Sequence, residues 1–173
     1  RVGSLPTLNN GVFDLSNIDV LGTPGVDYFL TFTPDLNGLS PITSPAFRVL
    51  AGAPTDINVV QNPVGGVTGQ ELAVQPGIEL VDAAGNRVGS VANIEFRVQL
   101  LRGNDVIDAG ASGVPYLRVT SSPYVATSGL FNFEGIKVGG QTGQDFRLKI
   151  ESTNLASTLS ATTPVFRLSN DEA

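Results

Sequence analysis

Ile94-Glu95-Phe96-Arg97-Val98-Gln99-Leu100 alternates apolar and polar residues without a break. Successive side chains of a strand point to opposite faces, so this pattern makes one apolar and one solvated face. Phe146-Arg147-Leu148-Lys149-Ile150-Glu151 has the same form, and Tyr28-Phe29-Leu30-Thr31-Phe32-Thr33 is its equivalent earlier in the chain. Phe47-Arg48-Val49 and Phe166-Arg167-Leu168 each set one charge between two apolar residues. No window of helical length keeps its apolar residues on one helical face. Turn clusters separate the alternating runs: Gly22-Thr23-Pro24-Gly25, Asn62-Pro63-Val64-Gly65-Gly66, Ala83-Ala84-Gly85-Asn86, Arg102-Gly103-Asn104-Asp105 and Gly139-Gly140-Gln141-Thr142-Gly143. Short strands with this punctuation predict an all-β, antiparallel sandwich or barrel.

The two related strands belong to a longer internal match. Eight of the twenty positions from Gly11 to Leu30 are identical to the residue 118 positions later. They include Gly11 and Gly129, Phe13 and Phe131, Ile18 and Ile136, Gly22 and Gly140, Asp27 and Asp145, and Leu30 and Leu148. The match resumes at Pro45, Phe47 and Arg48 against Pro164, Phe166 and Arg167, with one residue inserted near Leu36 and Leu155. A repeat of about 118 residues is close to the size of one β-sandwich domain. Its phase predicts three segments. Residues 1–50 are the C-terminal half of one unit, expected to hold three strands. Residues 51–170 are a complete unit, and 171–173 start a linker or tail. The short junction Leu50-Ala51-Gly52-Ala53-Pro54 suggests units strung end to end with limited swing.

Composition removes whole classes of function. The chain has 173 residues and no His, Cys, Met or Trp. A Ser-His-Asp or Cys-His catalytic site, a Cys/His zinc site, a disulfide and His-ligated haem are therefore excluded. Lys and Arg number 10 against 16 Asp and Glu, a net charge of −6, without the basic stripe of a nucleic-acid binder. No stretch of 18 apolar residues predicts a membrane span. No basic, then apolar, N-terminal segment predicts a signal peptide. Lack of Met leads us to expect a processed product or a fragment of a longer chain.

Val74-Gln75-Pro76-Gly77-Ile78-Glu79-Leu80-Val81-Asp82-Ala83-Ala84-Gly85-Asn86-Arg87-Val88 resembles the Gln-Pro-x-Val-x-Val-x-Asp-x-x-Gly-Asn-x-Val segment of bacterial-type immunoglobulin-like repeats. Such repeats occur in tandem in very large microbial, bacterial or algal, cell-surface proteins. Gly129 to Asn170 is similar to their closing block. The resemblance implies an immunoglobulin-like antiparallel β-sandwich serving as a spacer, stalk or adhesive element, extracellular or on the cell surface. It also implies neighbouring immunoglobulin-like units, of the same or another copy, as partners.

Individual residues carry weaker expectations. Asp82 and Gly85 should fix a hairpin: an Asp side chain bonds amides two residues on, and Gly tolerates positive φ. Asp82 lacks the companions that calcium needs. Asn104, Asp105 and Asp108 could form a weak calcium site, although the ion takes six to eight oxygens. Asp105 and Asp108 would have to flank a cleft to act as a glycosidase pair, and nothing in their segment suggests one. Tyr116 and Tyr124 flank a Ser-rich segment and are expected at a sheet rim, partly exposed, where they could serve glycan recognition. Tyr28 stands where immunoglobulin-like sandwiches keep a corner tyrosine, but packing alone is the expected role for it and for Phe146. No catalytic, cofactor-binding or metal-binding residue is predicted, and no cofactor.

The half unit poses a physical problem. Phe13, Leu15, Ile18, Val20, Tyr28, Leu30, Phe32 and Phe47 would have no second sheet to pack on. Either a longer array supplies the missing strands, or another chain does so by strand addition, which would build a homopolymer or filament. The leading expectation is a structural, non-enzymatic module of an extracellular fibre, stalk or surface layer. The alternative is an adhesion or glycan-binding module of a cell-surface protein.

Overall fold

The computed structural model describes residues 7–10, 12–14, 18–35, 37–107 and 115–170. Two compact units divide the chain, Arg1–Ala51 and Gly52–Ala173. All regular elements among the described residues are strands, and every pairing between named strands is antiparallel.

Among its described residues the first unit holds six short strands rather than three: β1 (Thr7–Asn9), β2 (Val12–Asp14), β3 (Asp27–Tyr28), β4 (Thr31–Phe32), β5 (Ile42–Thr43) and β6 (Phe47–Arg48). They pair as β1–β2, β3–β6 and β4–β5. The second unit holds β7 (Asp56–Gln61), β8 (Gly77–Val81), β9 (Ser90–Arg102), β10 (Asp105–Ile107), β11 (Tyr116–Arg118), β12 (Tyr124–Ser128), β13 (Leu130–Asn132), β14 (Lys137–Gly139), β15 (Asp145–Ser152), β16 (Ser160–Thr162) and β17 (Phe166–Arg167). Its largest sheet runs β10-β9-β15-β16, with β12 added on β9 and β17 on β15. A three-stranded sheet, β13-β8-β7, and the pair β11–β14 complete it. The result is sandwich-like.

The alternation that predicted β9 is the burial pattern observed. Ile94, Phe96, Val98 and Leu100 are buried, while Arg97 is exposed and Glu95 and Gln99 are half-buried. Across the ladder, Leu100 faces Leu148 and Val98 faces Ile150. From the other sheet, Ile78 and Leu80 reach the same core. Each such side chain contributes about 1.5–3 kcal/mol on full burial. Four aromatics form one cluster within it. Phe133 meets Tyr124 edge-on at 4.9 Å and Phe131 edge-on at 5.0 Å, and Phe96 lies 6.3 Å from Phe131. Edge-to-face pairs at these separations add to the area term.

The local contacts of the first unit have counterparts 118 or 119 residues later. Arg48 Nε donates to Asp27 Oδ1 at 2.5 Å, and Arg167 Nε donates to Asp145 Oδ1 at 2.5 Å. Tyr28 lies 6.3 Å from Phe47, and Phe146 lies 6.2 Å from Phe166. Leu30 N–H donates to Ser44 Oγ at 3.0 Å, and Leu148 N–H donates to Thr163 Oγ1 at 2.9 Å. Gly25 and Gly143 take φ of +81° and +77°, the left-handed region in which glycine is at ease. A Cβ on Gly22 would press on the Tyr28 ring, and one on Gly140 on the Phe146 ring, each at 2.6 Å.

Pairing differs where cover differs. β15 is one continuous strand lying against β9, whereas its counterpart is broken into β3 and β4. β12 pairs with β9 and β13 pairs with β8, whereas their counterparts β1 and β2 pair with each other. Among the described residues the strands of the first unit join no larger sheet and form a local hairpin and short ladders. Six fragments stand where three strands were expected.

Candidate functional site

Asp82 is the most heavily hydrogen-bonded side chain among the described residues of the second unit. The run Glu79–Val81 ends β8, and the chain must reverse before Arg87, which bridges back to Val81. Asp82 Oδ1 accepts from Ala84 N–H and from Asn86 N–H, both at 2.9 Å. Oδ2 accepts from Gly52 N–H at 2.9 Å and from Asn86 Nδ2 at 3.3 Å. Gly85 closes the turn at φ +80°. The bond to the amide two residues on and the glycine at positive φ are those expected of this sequence. Both oxygens are committed to the turn and to the strand lead-in at Gly52. The Gly52 amide, followed by the Asn86 amide, holds the Asp82 carboxyl below the usual range.

Asp105 opens β10 and pairs with Arg102 across the two-residue loop Gly103-Asn104. Gly103 has φ of +63°, as the first central residue of a type II′ hairpin requires. Asp105 is exposed there, and Asp108, its expected companion, lies outside the described residues. Among the described residues no group of three or more acidic side chains could hold a metal ion.

The tyrosines require two corrections. Tyr124 is not at a rim: it is 6% exposed, sits in the aromatic cluster, and its OH donates to the Glu134 carbonyl at 2.8 Å. Burial pushes its phenol pKa up. The carbonyl that satisfies it comes from a segment ten residues on, so the polar end needs no water. Tyr28 does more than pack: its OH accepts the Thr23 N–H at 2.7 Å, across the corner that Gly22 leaves open. Phe146 has no such group, and the second unit instead ties Gly140 at the same corner to Thr68 Oγ1. Tyr28→Phe is expected to cost the first unit about 0.5–1.5 kcal/mol, the range for one hydrogen bond. Urea unfolding followed by exchange at Thr23 would measure it.

Tyr116 is half-buried and lies flat on Gly139, where a Cβ would overlap its ring, with Arg118 stacked 5.2 Å from its centroid. A groove of about 220 Å³ opens beside β9, β10 and β11, between Arg97, Gln99, Val106, Leu117 and Ser122. Arg97, its one ionisable lining residue among the described residues, donates to Glu151 at 3.0 Å. Lys149 stands 2.5 Å from the other oxygen of Glu151. Lys149, with Arg97 behind it, holds the Glu151 carboxyl below its ordinary value.

Sequence reading missed Gln75. Its Nε2 donates to the Ile136 carbonyl at 3.2 Å and its Oε1 accepts the Ile136 N–H at 3.1 Å. The side chain thus acts as one strand residue, pinning Ile136 in the core. The Gln75-Pro76 dipeptide within the family-like segment was the available signal.

No protein-family model matches this chain. No curated protein matches it either.

Among the described residues three carboxyls titrate low: Asp82 through the Gly52 amide, Asp145 through Arg167, and Glu151 through Lys149. A carboxyl whose folded pKa is depressed stabilises the fold above its unfolded pKa, and loses that contribution as pH falls through the folded one. The midpoint of thermal unfolding of the second unit should hold from neutral pH to about pH 5, then fall below about pH 4. Circular dichroism melts from pH 7 to pH 2 test this. Asp82→Asn should flatten the acid limb, and an unchanged limb would remove Asp82 from the account.

Proposed function

We propose that this chain is a structural, non-catalytic segment of an extracellular fibre, stalk or surface layer, built from immunoglobulin-like units in tandem. The observation that carries this reading is the recurrence of one contact set at a spacing of 118 or 119 residues: salt bridge, aromatic pair, positive-φ glycine and hydroxyl-capped strand. Units that keep their closing corner in this detail can be strung end to end to hold a fixed distance. The family-like segment around Asp82 supports the same reading, since Gln75 and Asp82 hold backbone in place and the Asn86 amide braces the Asp82 carboxylate. Glycan recognition draws no such support, with Tyr124 in the core and Tyr116 laid on Gly139.

The intact mass of the protein in its native source tests the proposal. A species far above 18.0 kDa, with an elongated outline in electron micrographs, is expected. A compact globular outline for the native parent would overturn it.

A further inference from the structure

We infer that the open edge of β4 in the first unit is an acceptor for a separate, antiparallel strand of the β9 type. The inference rests on the tandem-unit reading, through the same residue correspondence, and names the partner.

In the second unit, β15 has a strand on each side: β16 through Lys149–Glu151, and β9 through Arg147–Ser152. Its counterpart in the first unit has one. Among the described residues β4 pairs with β5 alone, Thr31 across from Thr43 and Phe32 across from Ile42. Leu30 turns its carbonyl to that side, accepting Ser44 N–H at 2.8 Å. In an antiparallel ladder alternate residues direct their amides to opposite sides. Phe29, Thr31 and Thr33 therefore present theirs to the open edge, as Arg147, Lys149 and Glu151 do to β9. An unpaired edge of this kind is a template for strand addition.

Side-chain cover agrees with the backbone. Phe146, Leu148 and Ile150 are 0% exposed, while Tyr28, Leu30 and Phe32 at the same positions are half-buried. The difference is that, among the described residues, no β9 equivalent covers the first unit's face. The pairing in the second unit also sets the register. A donor residue in the place of Leu100 stands across from Leu30, and one in the place of Val98 stands across from Phe32. The occupant must then be apolar at every second position, on the pattern Ile-x-Phe-x-Val-x-Leu that β9 itself carries. β1, the counterpart of β12, would flank it on the far side once released from β2.

The test uses the full 173-residue chain and a donor of the sequence Ser90–Arg102. The donor is supplied free and, in a second version, joined ahead of Arg1 by a flexible Gly/Ser linker, so that weak affinity does not limit occupancy. Hydrogen exchange is read at Phe29, Thr31 and Thr33. The donor is expected to slow all three by about tenfold or more. A donor carrying Phe96→Asp and Leu100→Asp should leave them unprotected. Thr31→Pro in the tethered version removes an edge amide and leaves the backbone bonds to β5 in place, losing only the exposed hydroxyl contact to Thr43, and should abolish the protection while Leu148 and Ile150 exchange as before. Unchanged exchange in the tethered version overturns the inference, as does equal protection by the Asp-substituted donor. Protection that rises with concentration in the chain without donor also overturns it, because the occupant is then a second β4 edge. Protection by the donor in a chain whose native parent is compact leaves this inference standing and removes the stalk reading. A long native parent with no protection does the reverse.

Discussion

Leu148→Ala is expected to lower the stability of the second unit by about 2–5 kcal/mol, the range for emptying a buried leucine site. Leu30→Ala, the same change 118 residues earlier, is expected to cost the first unit less than about half as much. The local settings are nearly identical. Each leucine donates its N–H to a hydroxyl, Ser44 for Leu30 and Thr163 for Leu148, and that hydroxyl in turn donates to the following proline carbonyl, Pro45 or Pro164. Each lies one residue before a cross-strand partner of its neighbour, Thr31 to Thr43 and Lys149 to Thr162. What differs is tertiary cover: Leu148 is fully buried against β9, and Leu30 is half-buried. The pair of substitutions thus measures what the second sheet contributes, with backbone and residue type held constant. Urea unfolding with residue-resolved exchange, read separately in the two units, gives both numbers. Equal losses would mean that the first unit has a complete core of its own. With a β9-type donor bound, the cost of Leu30→Ala should climb toward that of Leu148→Ala.

Strand character was legible because period-two alternation is a local property. β9 and β15 bury the residues that the pattern assigns to the core. The turns at Asp82-Gly85 and Gly103-Asn104 were legible for a similar reason: their chemistry is contained within four or five residues. Pairing was less so. β1 and β2 stand at the positions of β12 and β13, 118 residues earlier, but pair with each other, because a strand edge takes whichever partner is present. The fate of a single aromatic was not legible at all. Tyr124 looked like a rim residue because it adjoins Ser121 and Ser122, yet the Glu134 carbonyl satisfies its OH and lets the ring sink among Phe131 and Phe133. Tyr28 looked like packing because its counterpart is Phe146, yet the Thr23 amide uses its oxygen. In both cases the deciding group is a backbone atom whose position only the folded chain defines. The same holds for the candidate site. Asp105 was expected in a polar loop after the strand and instead opens β10, and whether other oxygens gather around it depends on loops that the alternation does not describe.

Gly129→Ala is expected to cost the second unit about 3 kcal/mol or more, at the top of the range for overpacking. Gly129 is the single residue between β12, which belongs to the β9 sheet, and β13, which belongs to the β8 sheet. The chain changes sheets there, so its backbone must pass against the backbone of the strand beneath. The Gly129 carbonyl accepts Leu80 N–H at 2.7 Å, and Leu80 in turn accepts Val88 N–H at 2.9 Å. A Cβ on residue 129 would overlap the Val88 carbonyl oxygen. A flexible side chain could swing away; the carbonyl of a residue whose own N–H is bonded to Leu80 cannot, so relief must come from opening the crossover itself. The φ of Gly129 is not in the left-handed region, so the cost is steric rather than conformational. Gly89, next to Val88, is the control, since a Cβ there meets nothing within 4 Å. Gly89→Ala should stay within about 0.5 kcal/mol of the parent. Thermal melts separate the two. A loss of about 3 kcal/mol lowers the midpoint by roughly 10 °C or more in a unit of this size, whereas the control leaves it in place. Equal midpoints would mean that the crossover is loosely packed, and that glycine at 129 answers to something other than the approach of two backbones. The counterpart Gly11 lies outside the described residues, so the same substitution there asks whether the first unit makes this crossover once its second sheet is supplied.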